Sequence, residues 1–196
     1  MEFVTLMHKR RMVRSFLDQP IDPAMIERIL DLARRAPSAG YTQGQSFVVV
    51  QDEAKRKSIA ALAHEEEYVQ GGYGHFISQA PVLVIPCTSE AAYHRRYQEA
   101  DKILEDGSEI VWPVPFWYMD IGASIMALLL AVVDEGLGAA FVGVHDLQAL
   151  RRLLEIPQEV TPMGAIAVGH PAVDKRSTSL KRGRKPLESV VHWNKW

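Results

Sequence analysis

The sequence predicts one domain in which helices and strands mix without a regular βαβ rhythm, and three observations lead there. Of the 196 residues, 47% are hydrophobic and 23% charged, which suits an ordinary globular chain with material for a core and excludes a disordered or collagen-like one. Apolar β-rich runs of strand length recur between turn signals, and other segments repeat their apolar residues at helical spacing. No repeat or low-complexity segment divides the chain, so residues 1–196 read as a single domain.

Taken in order, the elements have local causes. Pro23 to Ala36 is expected to be a helix: Asp22 precedes a Pro at a tolerated first-turn position, Ile26, Ile29, Leu30 and Ala33 share a face, and Pro37 stops it. "SFVVV" (Ser46 to Val50) and "VLVIP" (Val82 to Pro86) read as buried strands. Ile121 to Val133 is the longest apolar run, bounded by Asp120 and Asp134. It falls short of the roughly 20 residues a spanning helix needs, so a core helix rather than a membrane segment is expected. A helix apolar on nearly every side has to be surrounded, by its own fold or by a partner subunit, which admits a homodimer. After the turn "EGLG" come a short strand, "AAFVGV", an amphipathic helix from Leu147 to Ile156, and a third buried strand, "MGAIAVG" (Met163 to Gly169).

Two stretches read as mobile: "QGGYGHF" (Gln70 to Phe76), with three glycines in four positions, and the charged, aromatic segment from Glu90 to Trp117. Within the latter, Trp112, Phe116 and Trp117 either line a pocket for a flat molecule or pack at a subunit interface. The acidic run "HEEEY" reads as a solvated helix face.

Composition and motifs exclude several functions. A net charge of −2 argues against nucleic acid as a partner, since such proteins carry broad basic surfaces. The single cysteine, Cys87, lies in an apolar run, so a buried structural thiol and a reduced, cytoplasmic setting are expected. The opening "MEFVTLMHKRR" lacks the layout of a signal peptide, and the mature protein is expected to start at or near Met1. "GLGAAF" has Phe141 where a dinucleotide fingerprint needs its third glycine, and it follows a helix rather than a strand. There is no P-loop, no zinc-type histidine spacing and no "GxSxG" elbow, so neither a metal nor a hydrolytic triad is expected.

What remains is positive charge at both ends: Arg10, Arg11 and Arg14 in "KRRMVRSF", and Lys181, Arg182, Arg184 and Lys185 in "LKRGRKPLE". Guanidinium groups bind phosphate oxygens two at a time, so the clusters either hold a phosphate monoester or are solvated terminal surfaces. Spacing alone does not decide between these.

The blocks "RRMVRSF", "APSAGYTQGQSFVVV", "DIGAS" through "EGLGAAFVG", "GAIAVGHP" and "RGRKPLE", in that order across most of the chain, resemble the FMN-dependent nitroreductase family. Its signature runs R-R-S-x-R-x-F, then P-S-S/A-x-N-x-Q-P-W-x-F. The resemblance implies an α+β fold, a mixed sheet flanked by helices, and an intertwined homodimer with FMN at the subunit interface. It implies that Arg10, Arg182 and Arg184 hold the flavin phosphate, that Arg11 lies along the ribityl chain, and that Arg14 is the catalytic cation at the N1/O2 edge. Pro37, Ser38 and Ala39 match a loop that reaches the partner's flavin, and the main chain at Val142 and Gly143 matches the segment that meets N5. Gln43 keeps the family's Gln. Met12 stands for the usual Ser and removes a hydroxyl contact, while Tyr41 stands for Asn and adds a phenol that is expected to contact substrate.

The activity so implied is passage of hydride from NAD(P)H through the flavin to an electron-poor small-molecule acceptor, such as a nitroaromatic or a quinone. A specialised relative (a dehalogenase, a flavin-fragmenting enzyme or a natural-product oxidase) and a non-enzymatic flavin carrier stand as alternatives.

Overall fold

The computed structural model describes residues 1–196. Its centre is β2 (Val82–Thr88), all of whose residues are buried. On one side β2 pairs with β1 (Gln45–Val50), and on the other with β5 (Ala165–Gly169) and the two-residue β4 (Thr161–Pro162). β3 (Gly138–Val142) lies outside β5, giving the order β1-β2-β5-β3. These pairs are all antiparallel, and the sheet is mixed only through a parallel bridge from Met12 to Ala139.

Alternation along the strands divides the core into two layers, because successive side chains point to opposite faces. Leu83, Ile85, Ala165 and Ala167 face α3 (Glu53–Leu62) and α7 (Leu147–Leu154), where Ile59 and Leu150 close that layer. Val82, Val84, Ile166 and Val168 face α2 (Pro23–Ala33) and α6 (Phe116–Asp134), packing with Ile29, Ile121 and Leu128. Burying one such aliphatic side chain stabilises the fold by about 1.5–3 kcal/mol, so both layers are needed to offset the chain entropy. Cys87 lies in the first layer, 1% exposed, where burial pushes its thiol up to about 12.

Several boundaries differ from the sequence expectation for physical reasons. The Asp22 carboxylate accepts from the Ala24 N–H at 2.9 Å to start α2, which ends at Ala33 rather than Ala36. Pro37 disfavours the helical conformation of the residue before it, and the last turn unwinds. α6 starts at Phe116, before the apolar run, and its 19 residues are long and apolar enough to cross a membrane by length and composition. Eight of its residues are nevertheless buried, and it packs against α2 and β2. Its C-terminus closes with Gly136 at φ +77° and a bond from the Leu137 N–H to the Val132 carbonyl, a glycine-terminated cap.

Three helices had no counterpart in the sequence reading, α1 (Phe3–Lys9), α3 and α5 (Glu90–Tyr97), whereas α4 (Glu65–Gln70) lies where "HEEEY" read as a helix face. α5 lies in the segment read as mobile, and its N-cap Ser89 accepts from the Ala92 N–H. The solvated-face reading of "HEEEY" is corrected at Glu65, which is 5% exposed. Its carboxylate turns inward to accept the main-chain N–H groups of Ile77 and Ser78 at 2.6 and 3.0 Å, because that loop has buried donors with no strand to pair with.

The N-terminal cations reach the sheet on an extended segment. The Val13 N–H donates to the Ala139 carbonyl at 2.8 Å, the Leu17 N–H to His170 at 2.9 Å, and the Ala172 N–H to Ser15 at 3.0 Å. Val13 lies so close to β3 that a Cβ on Gly138 would come within 2.9 Å of its side chain. Gly138→Ala is therefore expected to overpack this contact and destabilise the protein by about 1–3 kcal/mol, read as a lower urea midpoint at unchanged slope. An unchanged midpoint would mean that Val13 does not depend on this close approach.

Candidate functional site

Two groups of residues carry the chemistry that the sequence points to. The first lies beside β3. Asp174, its side chain 2% exposed, accepts at one carboxylate oxygen from the Arg14 main-chain N–H and from the Arg11 guanidinium, both at 2.9 Å. The Arg14 guanidinium stacks over the Tyr73 ring at 5.1 Å, and the Lys175 ammonium stands 5.3 Å from the same ring. Lys175 also donates to the Gly71 carbonyl at 2.6 Å, tying the glycine-rich turn to this corner. Met12 turns its sulfur toward β3, where it accepts from the Phe141 N–H at 3.4 Å, next to buried Val142 and exposed Gly143.

Neither Arg10 nor Arg14 takes part in an ion pair, although both carry a buried Nε–H without an acceptor. Buried donors are almost always satisfied, and leaving one unpaired costs about 1–3 kcal/mol. An anionic ligand rich in acceptor oxygens, such as a flavin phosphate with its ribityl chain and pyrimidine edge, fits this donor set.

The second group is built on α5 and the start of α6. Asp120 accepts from the Ala39 N–H at 2.8 Å and from the Tyr93 hydroxyl at 2.7 Å, which holds the Pro37–Ala39 loop against both helices. Ser38 Oγ accepts from the Gln43 N–H at 2.9 Å, and Arg96 Nε donates to the Gly40 carbonyl at 2.9 Å. Tyr41 and Gln43 have φ of +56° and +53°, and Tyr41 is 77% exposed. Side chains with a Cβ seldom hold the left-handed region unless their surroundings impose it, and here the bonds just described do so.

Trp112, Phe116 and Trp117 form one aromatic cluster, with Trp112 centroids 5.9 Å from each of the other two and 4.5 Å from Tyr97. The buried Trp117 indole N–H has no acceptor in the chain. Glu109 links the cluster to His94, accepting from His94 Nδ1 at 2.7 Å and from the Trp112 indole.

The structure thus gathers Arg10, Arg11, Met12, Arg14, Val142 and Gly143 along β3, and Pro37, Ser38, Ala39, Tyr41 and Gln43 near Trp112, Phe116 and Trp117. No hydrogen bond or ion pair within the chain joins the two groups. Arg182 and Arg184 sit in the exposed C-terminal tail without a hydrogen-bond or ion-pair partner, so one chain alone does not bring them to Arg10. Asp174, Tyr73, Lys175, Asp120 and Tyr93 were not identified from sequence. Only Asp120 had a signal, as a lone charge at the edge of an apolar run, and the others meet the site through long-range packing.

The Glu109 carboxylate holds His94 above the ordinary histidine value of 6.5, with Glu90 adding to the effect. The Trp112 N–H and His94 in turn hold Glu109 below the ordinary 4.5. The histidine contribution to stability is complete below 6.5 and is lost as pH rises through the raised folded value. That of the carboxylate is complete above 4.5 and is lost as pH falls through the lowered one. The pair should therefore be strongest between these two values. A proton-NMR titration is expected to place the His94 imidazole above 6.5, and a midpoint at or below it would contradict the contact.

Comparison with known proteins agrees with this architecture. The model of the Nitroreductase family matches residues 7–170. An FMN reductase (NADPH) of Bacillus subtilis is 30% identical over 189 residues, covering 94% of this chain and 70% of the relative. A putative NADH dehydrogenase/NAD(P)H nitroreductase of Archaeoglobus fulgidus is 28% identical over 199 residues, covering 100% and 99%. Among solved structures, a nitroreductase family protein of Streptococcus pneumoniae shares the fold at a TM-score of 0.76 and 24% identity, covering 97% of this chain and 99% of that one. The NADPH:FMN oxidoreductase of Vibrio harveyi, in complex with NAD+, shares it at 0.75 and 21%, covering 98% and 77%. A family match that spans most of the residues, with relatives alike over nearly the whole chain, establishes that this chain belongs to the nitroreductase family.

Proposed function

We propose that this protein is an FMN-dependent oxidoreductase that passes reducing equivalents from NAD(P)H to an electron-poor small molecule, a nitroaromatic, a quinone or a similar acceptor. The observation that carries this reading is the pair of buried guanidinium Nε–H groups of Arg10 and Arg14, donors without acceptors inside a family whose relatives include FMN reductases. When bound, FMN supplies the redox chemistry, taking hydride at N5 and yielding two electrons to the acceptor.

The residues of the chain bind, orient and exclude water. Arg10, with Arg182 and Arg184, is assigned to the phosphate and Arg11 to the ribityl chain. Arg14 presents fixed positive charge where negative charge develops on reduction, and such preorganised electrostatics needs no rearrangement during the reaction. The main chain at Val142 and Gly143 is assigned to N5, Met12 adds only main-chain contacts, and Trp112, Phe116, Trp117 and Tyr41 are assigned to the acceptor pocket.

One nitroreductase-like domain over residues 1–196, working as a cytoplasmic homodimer, completes the reading. The dimer is supported by apolar surface that the chain leaves uncovered: Phe3 and Val4 on α1 are 65% and 66% exposed, Met119 on α6 57%, and Trp193 and Trp196 in the tail 83% and 100%. It also allows the Pro37–Ala39 loop of one subunit to serve the flavin of the other, which agrees with the separation of the two groups within one chain.

The purified protein is expected to be yellow from non-covalent FMN and to sediment as a dimer. A colourless protein that also takes up no added FMN would overturn the reading, and a stable flavin-loaded monomer would overturn its dimeric part. Arg184→Ala is expected to weaken FMN binding about tenfold or more while barely changing riboflavin, because one or two charge-assisted hydrogen bonds at about 1.5–3 kcal/mol each are lost. Titration of both ligands at fixed salt checks this, and equal losses for the two would move Arg184 away from the phosphate.

A further inference from the structure

We infer that Tyr73 is the positioning residue for Arg14: its ring holds the guanidinium in place without neutralising it, so that the full charge acts on bound FMN. This rests on the flavin reading above and adds to it a residue with no assigned role.

An arginine can be fixed in two ways. A carboxylate fixes it strongly and cancels most of its field, whereas an aromatic face fixes it by attraction to the ring quadrupole and leaves the charge in place. The carboxylate of Asp174 uses its bonding oxygen on the Arg14 main chain and on Arg11. The Arg14 guanidinium has only the Tyr73 ring, at 5.1 Å, and its Nε–H is buried without an acceptor. Tyr73 is half-buried and packs on the core layer that holds Phe76 and Ile77, so the ring is a fixed platform. Lys175 secures that platform from outside. Its ammonium donates to the Gly71 carbonyl and stands 5.3 Å from the ring, so the turn that carries Tyr73 is pinned beside the cation it supports. The glycines that read in sequence as a mobile stretch permit this contact, since a Cβ on Gly72 would lie 2.7 Å from Lys175 Nζ.

A cation held this way favours the reduced, more negative form of FMN over the oxidised form. The test compares the midpoint potential of bound FMN in wild type, Tyr73→Phe and Tyr73→Leu holoproteins, with thermal melting as the check on folding. Tyr73→Leu is expected to lower the preference for reduced FMN by about three- to tenfold, and tenfold corresponds to about 30 mV for a two-electron couple. Tyr73→Phe keeps the π face and is expected to retain the wild-type potential. An unchanged potential in Tyr73→Leu, or equal shifts in Leu and Phe, overturns the inference. If Tyr73→Leu fails to fold, Tyr73→Met removes the π face without changing the net charge and carries the same expectation, and there a lowered preference supports the inference while an unchanged one overturns it. Wild-type protein that binds no FMN at all defeats the flavin reading first, and colour alone tells that outcome apart.

Discussion

The Asp174 carboxylate, almost fully withdrawn from water, accepts from the main chain of Arg14 and from the guanidinium of Arg11, and the course of the whole N-terminal segment follows from that contact. A buried anion of this kind is tolerable only when it is bonded on the spot, so it draws the cationic segment to one place on the sheet. The segment is then stitched to β3 on one side and to His170 and Ala172 on the other, with Val13 seated over Gly138. One carboxylate thus organises several cations while pairing with only one guanidinium, and the charges of Arg10 and Arg14 stay without an anionic partner.

A second constraint acts through α6. Its apolar stripe is tied to the sheet by Ile121 and Leu128, which places Asp120 and Trp117 at its start. Asp120 then fixes the Pro37–Ala39 loop and the Tyr93 hydroxyl together. Core packing and site geometry are therefore coupled along one helix: a shift of α6 on the sheet would move the loop and the aromatic cluster as a body. The same helix leaves Tyr118 and Met119 exposed on its far side, so the element that orders the loop also carries apolar surface that the chain leaves uncovered.

Much of the fold was legible in the sequence wherever periodicity and burial agree. β2 and β5 announce themselves as apolar runs because both sheet faces are covered, and α2 and α7 show single apolar stripes. β1 was legible as a strand, although as an edge strand it buries only Val50 and leaves Val49 exposed, against the expectation of a buried one. α3 and α5 were missed although Asp52 and Ser89 are ordinary N-caps, because their polar composition hides a narrow buried face: Ile59 and Ala60 in one, Tyr93 in the other. Glu65 was misjudged because a run of three acids looks solvated, and nothing local reports that two main-chain donors await one of them. At the site, the arginines stand out by composition. Tyr73, Lys175 and Asp174 do not, since they meet Arg14 across long stretches of chain and only folding brings them together.

Cys87 has a consequence for any redox protein built on this frame. Its sulfur sits in the central strand, 1% exposed, with a thiol pushed up to about 12. At neutral pH the thiol stays protonated, and the thiolate is the form that attacks disulfides and peroxides. The cysteine is therefore withheld from thiol–disulfide exchange in the folded state. The chain's one thiol thus neither diverts electrons nor cross-links one copy of the chain to another.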